Sequence, residues 1–240
     1  MAIVVEPFRA GPREPLAGGW PEFIFHDALA ARHLDAVRER YADLELALVE
    51  TDADRALVAA GWGVPLRWSG EIADLPSGYG DALGRSLAGK PPDTFCVMAA
   101  EVRADRRGRG LAGRLLTALA GLAAERGWPR VICPVRPTLK TRYPLTPIER
   151  YVSWTRADGE PLDPWIRTHT RLGARILTPA PRSQVITGTV AQWESWTGMA
   201  FPEPGEYVIP GGLATLRITA DPDVGLRGEY AEPNVWLRHR

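Results

Sequence analysis

The chain has 240 residues, of which 45% are hydrophobic, so it can bury the core of one or two domains and is not intrinsically disordered. Its 29 basic and 29 acidic side chains cancel, which leaves no net charge to attract nucleic acid or an anionic membrane. No apolar run reaches the ~18 residues of a membrane span, and the first residues are too acidic for a secretory signal. We expect a cytoplasmic protein that binds neither nucleic acid nor a membrane.

The first quarter of the chain is predicted to begin with an irregular arm. Residues 1–22 are rich in Pro and Gly and lack a hydrophobic period, so we expect no regular structure there. Residues 23–25 suggest a short strand. Apolar side chains at helical spacing predict a helix over residues 28–41, with Asp27 as its N-cap.

Two strands and a long loop follow. Apolar runs predict strands over residues 44–49 and 55–62, joined by a turn at residues 51–54. Residues 63–93 are rich in Gly and Pro, and we expect loops there around a short helix at residues 80–87.

The middle of the chain predicts a parallel crossover. Residues 94–102 form a nearly continuous apolar run, which is typical of a buried strand. A loop rich in Gly and Arg follows, and the spacing then predicts a helix over residues 110–126 with Gly127 just past its end. Residues 131–135 are the next strand, so the two strands should be parallel neighbours.

Both cysteines lie in these two strands. Cys96 and Cys133 have apolar sequence neighbours, among which a cysteine usually behaves as a small hydrophobic residue. We expect both to be reduced, without a disulfide or a metal site.

The last hundred residues begin with a long insertion. Residues 136–164 are irregular and dense in Pro, aromatic and charged residues, and long loops of this kind are often functional. Residues 165–172 predict a short helix that ends at Gly173, and residues 175–177 and 185–190 predict strands.

The remaining residues predict a β-rich end to a single domain. Residues 191–240 alternate short apolar runs with Pro and Gly, which indicates a C-terminal β-rich extension. We find no internal repeat or linker, so residues 23–240 are expected to form one domain.

The loop after the first buried strand is the most informative segment. From residue 102 to residue 112 it reads V-R-A-D-R-R-G-R-G-L-A, a tight turn directly before a helix. Backbone N–H groups at a helix N-terminus bind phosphate. The string is neither a Walker loop nor a G-x-G-x-x-G motif. On the residues alone, the glycines could also simply close a turn beside a solvated basic cluster.

This string resembles the acetyl-CoA binding motif of the Gcn5-related N-acetyltransferase superfamily, which is Arg or Gln, two residues, Gly, one residue, then Gly or Ala. Arg107, Gly110 and Ala112 match it. The resemblance implies an α/β fold with a mixed central sheet that contains the CoA-binding strand, loop, helix and strand. It also implies acetyl-CoA or another acyl-CoA as cosubstrate, without a metal.

The resemblance also implies where the cosubstrate lies. Val102 and its strand neighbours should splay from the next parallel strand, so that their main-chain groups pair with the pantetheine arm. The pyrophosphate should contact the loop, whose residues are Arg107, Gly108, Arg109, Gly110, Leu111 and Ala112.

Two catalytic candidates follow from the resemblance. Many members have a tyrosine four residues before a glycine, which protonates the departing CoA thiolate. His169 holds that position before Gly173 and is our predicted proton donor, the alternative being a histidine packed against the sheet. Glu101 is the candidate general base, because bases in this family often come from that strand, and the alternative is a solvent-facing residue.

The insertion supplies the candidate acceptor-binding residues. Tyr143, Glu149, Tyr151 and Trp154 could line a pocket beside the thioester. Equally, the aromatic rings could pack the insertion onto the sheet.

A narrower resemblance gives a second interpretation. His-x-x-x-Gly-Ala, at residues 169–174, is similar to the acyltransferase-like domains of polyketide loading modules, some of which decarboxylate malonyl-CoA. Those domains add a threonine and an arginine, for which Thr138 or Thr141 and Arg182 are candidates.

We predict an enzyme that moves a short acyl group from CoA to an amine of a small molecule. The first alternative is a malonyl-CoA decarboxylase or acyl-loading enzyme, which would use an acyl-carrier protein as partner. The second is a non-catalytic CoA-binding module. The sequence does not indicate the oligomeric state.

Overall fold

The computed structural model describes residues 2–8, 16, 19–51, 55–222 and 225–239. Its strands are β1 (Ile3–Pro7), β2 (Glu45–Glu50), β3 (Leu57–Leu66), β4 (Thr94–Val102), β5 (Arg130–Val135), β6 (Arg175–Thr189), β7 (Gly205–Val208), β8 (Thr215–Asp221) and β9 (Gly225–Arg238). Its α-helices are α1 (Ala28–Arg40), α2 (Tyr79–Leu87), α3 (Leu111–Glu125), α4 (Ile148–Tyr151), α5 (Pro164–Arg171) and α6 (Val190–Thr197).

The strands form one mixed sheet in the order β1-β2-β3-β4-β5-β9-β8-β7, and β6 pairs with β9. β4 and β5 are parallel, whereas the other described pairs are antiparallel. The predicted parallel crossover is therefore confirmed. β9 pairs with β5 through its second half and with β8 through its first half, so the last strand of the β-rich segment lies inside the sheet.

Helices cover both faces of the sheet. α1 and α2 pack on one face around buried residues such as Val37 and Leu83, and we call this the α1–α2 face. α3, α4 and α5 pack on the opposite face around Leu115 and Ile166, and we call this the α3–α5 face. A third buried cluster packs α6 onto the outer parts of β6 and β9.

The strongest local signals in the sequence are confirmed. Asp27 caps α1 by accepting hydrogen bonds from the N–H groups of Leu29 and Ala30. α3 ends where predicted, and Gly127 has the positive φ of +74° that glycine tolerates best. Cys96 and Cys133 are free and buried.

Two N-terminal predictions are wrong. Within residues 1–22, Ile3–Pro7 forms an edge strand, because its β-branched residues pair with β2. Residues 23–25 belong to a 3-10 helix, Glu22–His26, rather than to a strand. Phe23 and Ile24 are both buried in the same cluster, whereas consecutive side chains of a strand point to opposite faces. Of the predicted turn at residues 51–54, residues 52–54 lie outside the described part.

Two later boundaries also differ. β3 continues to Leu66, and Gly63 is required there because a Cβ atom would come within 2.5 Å of the Cys96 carbonyl oxygen. The strands predicted at residues 175–177 and 185–190 are one strand, β6, whose pairing with β9 is irregular between Ala180 and Gln184. That irregularity accommodates Pro181, since proline cannot donate a ladder hydrogen bond.

The segment 191–240 is rich in strands, as predicted, but α6 lies at its start, where a capping box of Thr189 and Gln192 begins the helix. The assignment of residues 23–240 to one domain stays a prediction. Among the described residues, no helix has the length and hydropathy needed to span a membrane.

Candidate active site

The parallel strands β4 and β5 pair at one end only. Their ladder joins Thr94 to Arg130, Phe95 to Val131 and Cys96 to Ile132. β4 nevertheless continues to Val102 and β5 to Val135. The sheet therefore opens between the second halves of these strands, as the resemblance implied for Val102 and its neighbours.

An irregularity in β4 accompanies this opening. Trp62 of β3 pairs with Ala99, but the next residue, Gly63, pairs with Val97, so Met98 is an extra residue in β4. A bulge of this kind bends its strand and increases the local twist. It lies just beyond Cys96, where the pairing with β5 stops.

The glycine loop leads from the open end of β4 into α3. Gly108 and Gly110 have φ values of +78° and +74°, and a Cβ atom on either would meet no described atom within 4 Å. Gly110 is the N-cap of the 15-residue helix, and the buried side chain of Leu111 anchors the first turn. The first N–H groups of a helix lack intrahelical partners, so this exposed loop can hold an anion.

The arginines of the loop divide into two groups. Arg106 forms a bidentate ion pair with Glu50 at 2.9 and 3.2 Å, and Arg103 pairs with Asp105. Arg107 Nε donates to the Val102 carbonyl at 3.3 Å. Within the described residues, Arg107 and Arg109 form no ion pair. Their charges therefore remain beside the N-terminus of α3.

His169 lies on α5, against the sheet. Its side chain is buried, with Nδ1 2.8 Å from His239 Nε2 and 3.6 Å from Cys133 Sγ. The His169 Nε2 atom has no hydrogen-bond partner among the described residues. Burial, with a contribution from His239, lowers the pKa of His169 to about 3. The imidazole is therefore neutral at pH 7, and its role as the proton donor stays a prediction.

Glu101 lies on the opposite face of the sheet. It pairs with Ala60, and its neighbours Ala100 and Val102 pack on the α3–α5 face, so alternation turns Glu101 toward α1 and α2. Tyr79 of α2 lies nearby: burial raises the pKa of its hydroxyl, and the charge of Glu101 adds to the increase. Glu101 and His169 thus stand on different faces beside the same opening.

Comparison with known proteins shows which proteins this chain resembles in sequence and in fold. No protein-family model matches the sequence. Arginine N-acetyltransferase avaD of Aspergillus versicolor is 29% identical over 256 residues, which cover 95% of this chain and 87% of that protein. The loading GNATL domain of CurA from Lyngbya majuscula has a TM-score of 0.50 at 14% identity, over 96% of this chain and 98% of that chain. The chain shares the fold of the Gcn5-related N-acetyltransferase superfamily.

A second solved structure has the same fold. Malonyl-CoA decarboxylase from Agrobacterium vitis has a TM-score of 0.51 at 15% identity, over 75% of this chain and 55% of that chain. The predicted fold class is thereby confirmed, and the similarity to an arginine N-acetyltransferase supports the predicted superfamily.

In this N-acetyltransferase-like chain, the insertion packs on the α3–α5 face, away from Glu101. Tyr143 and Trp154 stack edge to face at 5.0 Å, and both lie near Tyr151. Tyr151 is buried, and its hydroxyl donates to Asp163 at 3.0 Å. The aromatic side chains therefore pack the insertion onto the core, and Glu149 is exposed. An acceptor-binding role for these residues stays a prediction.

The candidates of the loading-module interpretation are spread apart. Thr138 is exposed, and its carbonyl oxygen accepts a bond from the Thr141 hydroxyl. Arg182 pairs with Glu229 at an exposed position on β6 and β9. No described hydrogen bond or ion pair connects any of them to His169.

A buried polar network escaped the sequence analysis. Lys140 Nζ donates to the carbonyl oxygens of Tyr143 and Leu213 at 2.8 and 2.6 Å, and burial lowers its pKa to about 8. Nearby, Glu232 accepts hydrogen bonds from Arg136 and from the Tyr230 hydroxyl. Because the contacts from Lys140 to Leu213 and from Arg136 to Glu232 join residues 73 and 96 positions apart, no local pattern could reveal this network.

Proposed function

We propose that this protein transfers a short acyl group from acyl-CoA to an amine of a small molecule. The observation that carries the proposal is the opening between β4 and β5 directly beside the N-terminus of α3. An extended amide-containing arm can pair with strand main chain at such an opening, while its phosphates reach the helix end.

The loop suits the charged part of the cosubstrate. Gly108 and Gly110 let the phosphates approach the backbone, since no side chain stands in the way. Arg107 and Arg109 supply positive charge, because neither is engaged in a described ion pair. Acyl-CoA is therefore the cosubstrate of this proposal.

In the proposed reaction, Glu101 and His169 act from opposite faces of the sheet. Glu101, directly or through water, takes a proton from the ammonium group of the acceptor. The resulting amine attacks the thioester carbonyl carbon, a C–N bond forms and the C–S bond breaks. CoA leaves as a thiolate, and the proton that the attacking nitrogen loses passes through solvent to this thiolate, which gives the amide and the CoA thiol.

We assign to His169 a hydrogen bond that stabilises the departing sulfur. In the tautomer with the proton on Nε2, Nδ1 accepts from His239, and Nε2–H is the group that has no partner among the described residues. A neutral imidazole can stabilise developing negative charge by donating such a bond. This role does not require an imidazolium ion.

The acceptor to test first is arginine. The avaD protein, an arginine N-acetyltransferase, aligns with nearly the whole chain, and Glu101 supplies a negative charge on the face that α1 and α2 cover. Arginine and agmatine differ only in the α-carboxylate, so together they show whether that group is recognised.

The experiment combines the purified protein with acetyl-CoA and each amine, and mass spectrometry identifies the products. We expect an N-acetylated amine together with one equivalent of free CoA, and no CoA release without an amine. Malonyl-CoA alone is the second arm. Formation of acetyl-CoA and CO₂ from malonyl-CoA without an acceptor would overturn our proposal in favour of the decarboxylase alternative. Binding of acetyl-CoA without turnover of any amine would favour the non-catalytic CoA-binding module.

A further inference from the structure

Three potential metal ligands lie close together where α5 packs against β5 and the end of β9. Cys133 comes from β5, His169 from α5, and His239 follows β9. One donor atom from each lies within 4.8 Å of the other two. Among the described residues, no other group of three His, Cys, Asp or Glu side chains meets this condition. Cys133 and His169 are buried, and His239 is half-buried.

The distances fit a small cation with little adjustment. Zinc binds nitrogen at about 2.0–2.1 Å and sulfur at about 2.3 Å, so a tetrahedral site separates two nitrogens by about 3.3 Å and sulfur from nitrogen by about 3.6 Å. Here Cys133 Sγ is 3.6 Å from His169 Nδ1, and His169 Nδ1 is 2.8 Å from His239 Nε2. The two imidazole nitrogens must therefore separate by about 0.5 Å. His239 Nε2 lies within 4.8 Å of Cys133 Sγ and belongs to a residue beyond the last strand, whose side chain can adjust.

The surroundings also suit a metal. The ring of Trp165 packs edge-on against His169 with centroids 4.4 Å apart, which shields one side from water. His239, Thr117 and Leu172 border a cavity of about 170 Å³, large enough to admit water as a fourth ligand. The main-chain N–H of His239 donates to the Val131 carbonyl at 2.8 Å, so its backbone is fixed beside β5.

We propose that Cys133, His169 and His239 form a binding site for one zinc-type cation, with a water molecule at the fourth position. One thiolate and two imidazoles are ligands that Zn²⁺ prefers. On binding, the S–H bond of Cys133 breaks, a sulfur–metal bond forms and the proton passes to the solvent. Coordination through His169 Nδ1 leaves a hydrogen on Nε2, the tautomer invoked above.

The sequence could not reveal this site. Cys133 and His169 are 36 residues apart, and His169 and His239 are 70 apart, so the close ligand pairs typical of zinc motifs are missing. The apolar sequence neighbours of Cys133 also predict a small hydrophobic residue rather than a metal ligand. The inference stands on the three side chains alone and does not depend on the proposed function.

The test uses the untagged protein, stripped with chelator and titrated with Zn²⁺ or Co²⁺ in the absence of acyl-CoA. We expect one equivalent of bound zinc by elemental analysis. The cobalt form should show a thiolate-to-cobalt charge-transfer absorption. Both signals should be lost in Cys133→Ser and His239→Ala and kept in Cys96→Ser, which alters a buried cysteine that packs on the α1–α2 face.

A stability measurement guards against a variant that fails to fold. Zn²⁺ should raise the Tm of the wild type and of Cys96→Ser, because a ligand that binds only the native state stabilises it. It should leave the Tm of His239→Ala unchanged, since that variant alters only a side chain beyond the last strand. Clearly substoichiometric zinc in the folded wild type, or a cobalt absorption that persists without Cys133, would overturn the site.

Discussion

A histidine stands where many members of the superfamily have a tyrosine, and the structure defines what it can do. A tyrosine hydroxyl can give up its proton, whereas the buried, neutral His169 is suited to hold a hydrogen bond. Its Nδ1 lies within hydrogen-bond distance of His239 Nε2, and its own Nε2 has no partner in the part of the chain that the structure describes. In the tautomer that we propose, the residue thus offers one directed N–H group at Nε2 rather than a mobile proton.

The first prediction follows from that single N–H group. His169→Ala should lower kcat for acyl transfer about 10²–10³-fold, the usual effect of removing one preorganised donor. KM for acyl-CoA should change little, and His169→Gln should recover part of kcat because an amide also donates. Steady-state kinetics with acetyl-CoA and arginine measure this.

The matched control is His26→Ala, which changes a histidine of the 3-10 helix Glu22–His26, whose ring stacks on Trp196 of α6. Its kcat should stay near that of the wild type. If His169→Ala keeps kcat within about threefold while the enzyme remains folded, the residue serves packing alone.

At the scale of elements, α3 has equivalent glycines at its two ends. Gly110 precedes the helix and Gly127 follows it, both have φ of +74°, and a Cβ atom on either would meet no described atom within 4 Å. A valine should strain the backbone similarly at each position, because β-branched residues avoid positive φ. Only Gly110 belongs to the loop that we propose for the phosphates.

This symmetry gives the second prediction. Gly110→Val should weaken acetyl-CoA binding by about tenfold or more, since lost hydrogen bonds to a charged group cost about 1.5–3 kcal/mol. Gly127→Val should lower stability by a similar amount but keep the affinity. Calorimetric titration with CoA and urea unfolding separate the two effects. Equal affinities for the two folded variants would place the phosphates elsewhere.

Elements differ in how far the sequence reveals them. The sequence predicts β4 and α3 within one or two residues. β4 is a long, nearly uninterrupted hydrophobic run, and α3 has a clear helical period bounded by Gly110 and Gly127. β6 was divided in two by its prolines, and its continuity depends on pairing with β9, which no local pattern encodes. The same limit hid the cluster around His169, whose members meet only after β5, α5 and β9 have packed together.

At the scale of the whole molecule, the sheet is closed at one end of the β4–β5 pair and open at the other. Asp93 precedes β4 at the closed end. Its carboxylate accepts from the Trp68 N–H at 3.1 Å and the Thr94 hydroxyl at 2.8 Å. It also pairs with Arg67 and Arg130 at 3.2 and 3.0 Å. This one side chain therefore holds the segment after β3 and the starts of β4 and β5 together, while the other end remains free for a ligand.

The third prediction is a pH dependence of stability that arises at this closed end. Although burial opposes the change, hydrogen bonds from Trp68 and Thr94 and the charges of both arginines lower the pKa of Asp93 below its ordinary value of 3.8. A carboxyl with a lowered folded-state pKa stabilises the fold above its unfolded pKa, and the effect is lost as pH falls through the folded value. Asp93→Asn should therefore cost about 1–3 kcal/mol at pH 7.

Urea unfolding of the wild type and Asp93→Asn at pH 7 and in strong acid measures this difference. It should shrink steadily below about pH 4, because the wild-type carboxyl then becomes protonated. Asp35→Asn, which alters an exposed carboxylate of α1, should change stability by less than about 0.5 kcal/mol at either pH. A difference between wild type and Asp93→Asn that is the same at both pH values would show that Asp93 acts through shape rather than charge. The hydrogen bonds between β4 and β5 would then hold the closed end by themselves. The same three residue pairs would also have to keep the two strands together when a ligand enters the open end.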